Sequence, residues 1–107
     1  MDISEAQTAV HQWALSKGWE VKPDDFPEMI ALAHSELSEA LEAWRKDGFD
    51  AWVGMTGKPE GVGSEFADVV IRLLHYSEVI GIDLAECIAI KMAYNETRPY
   101  RHGGLRA

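Results

Sequence analysis

The chain has 107 residues, 47% hydrophobic and 26% charged, which suits one compact domain with its own core and leaves no room for a second catalytic lobe. Its 18 acidic residues exceed its 10 basic ones, for a formal net charge of -8, so binding to a nucleic-acid polymer is disfavoured and any phosphate partner is expected to arrive with a cation. A lone Cys87 rules out an intramolecular disulfide. The absence of a basic-then-apolar leader or a long apolar run adds to the expectation of a cytoplasmic protein without a membrane partner.

Start and stop signals predict four helices, at about 4–17, 26–47, 64–80 and 83–98, followed by a flexible tail over 99–107. Ser4 with Gln7 reads as the first N-terminal cap, and Gly18 as the stop. The second and longest helix opens near Asp25 with Pro27 in its first turn, and carries Met29, Ile30, Ala33, Leu37, Ala40, Leu41 and Trp44 at helical spacing up to Asp47-Gly48. Residues 49–63 break every periodicity, with Gly54, Gly57, Gly61, Gly63 and Pro59 among Phe49, Trp52 and Met55. They are either a functional loop or a solvated link between two helical hairpins. Ser64 reads as the cap of the third helix, with Phe66, Val69, Val70, Leu73, Tyr76 and Ile80 as its inner face, and Asp83 with Glu86 as the capping box of the fourth. The tight turn at Gly81 predicts that these last two pack antiparallel. No strand is expected, and the fold class is an all-α, four-helix bundle-like domain.

Two acidic pairs interrupt the apolar pattern. At 100° per residue Glu36 falls inside the apolar arc of the second helix and Glu39 at its edge, while Glu65 and Asp68 share one flank of the third helix. Carboxylates ~4 Å apart repel by roughly 4 kcal/mol at an effective dielectric of 20, so four converging acids require compensation, most simply a divalent cation. Either pair alone would pass as a solvated face, and Asp68 with Arg72 could be an ordinary i,i+4 ion pair; the joint placement favours a site. An all-oxygen donor set selects Mg²⁺ or Mn²⁺ over zinc. The usual carboxylate-bridged di-iron arrangement fails, because no Glu is followed three residues later by His.

On the fourth helix Lys91, Asn95 and Arg98 share a face with Leu84, Cys87 and Ile88. Either Lys91 neutralises the acidic helices directly or the three side chains hold phosphate oxygens beside a metal.

Glu36-Leu37-Ser38-Glu39, then Glu65-Phe66-Ala67-Asp68, then Lys91 to Asn95 with Arg98-Pro99-Tyr100 together resemble the MazG-like all-α nucleotide pyrophosphohydrolases over roughly residues 27 to 102. The resemblance implies Mg²⁺-dependent cleavage of a (deoxy)nucleoside triphosphate between the α and β phosphates. It implies Glu36, Glu39, Glu65 and Asp68 as metal ligands, Glu39 also as the proton-accepting base, and Lys91, Asn95 and Arg98 as phosphate contacts. Ser35 stands where many members carry a further acid. Trp13 and Trp52 are candidate platforms for the base, with Trp44 assigned to the core and His34 and His75 to the surface or core edge. The tail Arg101-His102-Gly103-Gly104 is a candidate flap over the phosphates. Four helices of this size rarely enclose a nucleotide alone, so a homodimer or homotetramer is expected. The rival reading is a non-catalytic helical module that senses nucleotide or binds a protein partner.

Overall fold

The computed structural model describes residues 1–100; the expected tail flap lies outside the described residues. The fold is all-α apart from one minimal hairpin: α1 (Ile3–Ser16), a 3-10 turn (Pro23–Asp25), α2 (Phe26–Asp47), β1 (Trp52–Val53), β2 (Pro59–Glu60), α3 (Val62–Val79) and α4 (Leu84–Glu96). No described helix is long and apolar enough to cross a membrane.

Two helix starts differ from expectation. Asp2, not Ser4, caps α1, its Oδ1 accepting from the Glu5 amide at 2.8 Å; a carboxylate takes up orphan amides more strongly than a hydroxyl. Helix α3 starts two residues before Ser64, after Gly61, and the Ser64 hydroxyl donates to the Pro59 carbonyl instead. Asp83 does cap α4, accepting from the Glu86 amide at 3.1 Å. Helices α1 and α3 end in the same motif: with Gly18 and Gly81 in the left-handed region, Trp19 N–H reaches Ala14 O and Ile82 N–H reaches Ser77 O.

Helix α3 is central. Glu36 faces Arg72 and Glu39 faces Glu65 across the α2–α3 contact, and Gln7 and His11 face Glu78 and His75 across the α1–α3 contact, so both flanking helices run antiparallel to it. The buried apolar set is small: Ala14, Met29, Ala33, Ala40, Leu74 and Tyr76. The inner face of α3 is rotated from the expected one, with Leu74, His75, Tyr76 and Ser77 buried while Phe66, Val70 and Leu73 remain exposed. On α2, Ile30, Leu37, Leu41 and Trp44 are exposed as well, so Trp44 is not core. The apolar arcs of α2 and α3 are wider than one neighbour can cover.

The fourth helix does not pack antiparallel along α3 as the tight turn suggests. Its main contact is with α1, and it has no buried residue. Gln7, 6% exposed, fixes the corner: its Nε2 donates to Glu78 Oε2 and Ile82 O, and its Oε1 accepts from the Leu84 amide. Every polar atom of that buried amide is satisfied, which holds the turn open and sends α4 away from α3.

The irregular segment contains a strand pair that periodicity did not reveal, Trp52 opposite Glu60 and Val53 opposite Pro59. Two-residue strands are too short for an alternation to register. Gly61, at φ +115°, closes the excursion; a Cβ there would lie 2.7 Å from the Asp50 carbonyl oxygen.

Candidate functional site

Helices α2 and α3 bring Glu36, Glu65 and Asp68 together, one oxygen from each lying within 4.8 Å of the others. The i,i+3 spacing of Glu65 and Asp68 puts both on one flank of α3, and the antiparallel packing turns that flank towards Glu36. Glu36 and Glu65 are half-buried and Asp68 is exposed. Glu39 is exposed and stands outside the converging trio, but it is close enough to raise the proton affinity of Glu65.

Glu65 carries the strain of the cluster. Burial first, then the charges of Glu39 and Asp68, a hydrogen bond with Glu39 and the charge of Glu36 push its carboxyl above the usual carboxylate range. Its Oε2 is enclosed and has no hydrogen-bond partner. An orphaned oxygen on a member of a carboxylate cluster is what a proton or a cation would satisfy, and the donor set is hard oxygen throughout. The residues therefore fit a divalent ion of the Mg²⁺ type.

The site also holds a residue that sequence reasoning paired differently. Arg72 does not bond Asp68, four residues before it; its Nε donates to Glu36 Oε1 at 2.9 Å, and its Nη1 to the Tyr76 hydroxyl at 3.1 Å. The Glu36 side chain is 13% exposed and that of Arg72 31%, so this pair is shielded from solvent more than the exposed pair Glu42–Arg45. Burial pulls the Arg72 pKa down, but the hydrogen bonds to Tyr76 and Glu36 and their charges outweigh it, and the guanidinium stays above its ordinary value. Part of the acidic excess is thus compensated internally. The signal was the shared α3 face of Glu65, Asp68 and Arg72 with Glu36 opposite.

A cleft of about 470 Å³ opens beside the acids, between α1, the 17–25 connection, α2 and α3. Trp13, Trp19, Met29, Leu32 and Ile71 supply apolar wall, and Glu36, Asp68, Arg72, His75 and Tyr76 also line it. The size suits a small organic ligand. Trp13, 54% exposed, lines this cleft; Trp19, not singled out from the sequence, lines it too. Trp52 lies elsewhere, its indole donating to Asp47 Oδ2 at 3.3 Å, and does not line the cleft.

His75 is buried, not at the edge, whereas His34 is exposed. Its Nδ1 lies 3.3 Å from His11 Nδ1 in a stacked pair, so one ring must donate and the other accept. Burial, then the charge of His11, lowers the His75 pKa below its usual 6.5.

Lys91, Asn95 and Arg98 are not brought to the acids within one chain. None lines the cleft, no ion pair among the described residues joins Lys91 or Arg98 to the carboxylates, and the Lys91 ammonium sits 5.6 Å over the Tyr94 ring. Direct neutralisation of the acidic helices by Lys91 is therefore excluded in the single chain; the basic group at the acids is Arg72.

No family model, curated protein or solved structure matches the chain.

Proposed function

We propose that this protein is a Mg²⁺-dependent nucleoside triphosphate pyrophosphohydrolase, Mn²⁺ substituting, that releases a monophosphate and pyrophosphate. The observation that carries the reading is the convergence of Glu36, Glu65 and Asp68, with one Glu65 oxygen enclosed and unpartnered, next to an aromatic cleft of nucleoside size. The resemblance of the two Glu-x-x-acid pairs and of the Lys91/Asn95/Arg98 helix to MazG-like enzymes supplies the reaction. Glu36, Glu65 and Asp68 would hold the ion, with Glu39 completing the shell or, from its exposed position, taking the proton of the attacking water. When bound, the ion neutralises the triphosphate and acidifies that water. Arg72 fixes the Glu36 carboxylate through Oε1, as supporting partners of metal ligands do. Trp13 and Trp19 offer π faces to the base.

A second copy completes this reading. Leu37, Leu41, Trp44, Phe66 and Val70 are each about half exposed, on the two helices that carry the acids, and such surface is characteristic of a self-association face. A homodimer or homotetramer would cover it and could deliver the α4 cations of one copy to the acids of the other. The Arg72–Glu36 pair favours the rival reading, a nucleotide sensor or interaction module without turnover, because it already offsets one acid without a metal. Pyrophosphate release from a panel of nucleoside triphosphates with Mg²⁺ or Mn²⁺ decides between them. Turnover supports the enzyme, whereas calorimetric binding without release establishes the sensor.

A further inference from the structure

The cleft narrows the substrate class through one side chain. Arginine only donates hydrogen bonds. In Arg72 the Nε is committed to Glu36 and Nη1 reaches Tyr76, so the guanidinium plane is held at two corners. Its Nη2 has no partner among the described residues, and the side chain is 31% exposed where it lines the cleft. Tyr76 Oη accepts from Arg72, which leaves its own hydrogen to donate. His75 adds nothing to this wall, since Nδ1 is taken by His11 and Nε2 is enclosed. With Glu36 and Asp68 assigned to the cation, this end of the cleft presents fixed donors and asks for an acceptor.

We propose that Arg72 is a specificity-determining residue that selects nucleobases bearing a carbonyl oxygen, such as guanine and uracil, over adenine, the common base without one. This inference rests on the reading of the cleft as a nucleotide site. A carbonyl oxygen accepts from two donors at once. Adenine sets its 6-amine beside both acceptors N1 and N7, so two adjacent donors that one carbonyl oxygen would satisfy meet one acceptor and one competing donor, and a donor left unpaired once the base covers it disfavours binding. Held by Glu36 and Tyr76, the guanidinium cannot turn away without breaking a contact.

The test is a tryptophan-fluorescence titration of the full chain with GMP, UMP and AMP in the presence of Mg²⁺, which occupies Glu36 and Asp68, using the indoles of Trp13 and Trp19 as reporters. GMP and UMP are expected to bind at least tenfold more tightly than AMP; Arg72→Met should erase the difference and Arg72→Lys retain part of it. Equal binding of all three by the unaltered protein, or a preference that survives in a helical Arg72→Met variant, overturns the proposal and leaves the nucleotide site standing. If no nucleotide binds, with or without Mg²⁺, both readings fall. Should Arg72→Met not fold, Tyr76→Phe decides, since it releases Nη1 and keeps the charge: a preference weakened threefold or more supports the proposal and an unchanged one overturns it.

Discussion

Helices α3 and α4 follow one another across a tight turn, and both were well marked in the sequence, yet they differ in almost every physical respect. Helix α3 lies between two antiparallel neighbours, buries Leu74, His75, Tyr76 and Ser77, and carries two of the three converging carboxylates together with Arg72. Helix α4 buries nothing, touches mainly α1, and leaves Ile90, Met92 and Tyr94 exposed beside its cations. Caps and stops report where a helix begins and ends; they do not report what covers it. In this protein the chain alone assembles the acids, whereas it does not bring the cations of α4 to them.

The sharpest way to break this contrast is to compare single substitutions in the two helices. Asp68→Ala is expected to lower pyrophosphate release by on the order of a thousandfold, because a lost ion ligand forfeits several kcal/mol of charge stabilisation, with circular dichroism unchanged. Lys91→Ala, if it removes one charge-assisted contact, should cost about tenfold to a hundredfold, and complementation by mixing the two variants should restore activity if the cations act across subunits.

Next in size is the corner that directs α4. Gln7→Ala strips partners from the Ile82 carbonyl, the Leu84 amide and Glu78, which should cost about 1–3 kcal/mol and lower the melting temperature measurably. Leu41→Asp on the exposed α2 face should weaken self-association by roughly tenfold or more, read as a shift to lower mass by sedimentation, while Met92→Asp on α4 provides the comparison.

A pH effect follows from α3. The His75 pKa is lowered from 6.5 by burial and then by His11, so below 6.5 the unfolded chain binds the proton that the folded one resists. Its contribution to stability is complete above 6.5 and is lost as pH falls towards and through the lower native value. His75→Phe should flatten the acid side of the melting-temperature profile, whatever it does to the plateau. The smallest effect expected is Arg45→Ala: its pair with Glu42 is exposed on both sides, and the change should be within about 0.5 kcal/mol.

These contrasts also show what was legible in the sequence. The boundaries of α2 and the cap of α4 could be read because Pro27, Gly48 and Asp83 act within one turn of themselves. The carboxylates on facing helices could be read because a spacing of three fixes a flank. What depended on a partner helix was not. Val70 and Leu73 look like core until the packing shows α3 covered on its other sides, and Trp44 likewise. Arg72 looks bound to Asp68 until Glu36 offers a better-shielded carboxylate. Trp19 takes its place beside the cleft because the α1 terminal motif turns the chain there, a consequence of Gly18 rather than of any pattern around the tryptophan. Nor could the hairpin at 52–60 be foreseen, since two residues per strand leave no period.

That hairpin has an implication for engineering. Its base is closed by Gly61 against the Asp50 carbonyl and by Ser64 on Pro59, while its tip, Met55 to Gly57, is exposed and turns on the Gly57–Gly54 hydrogen bond. A fixed base under a solvated tip decouples loop length from helix placement. Foreign sequence, such as an affinity tag or a fluorophore anchor, grafted between Met55 and Gly57 is expected to leave the start of α3 and the carboxylates it carries in place.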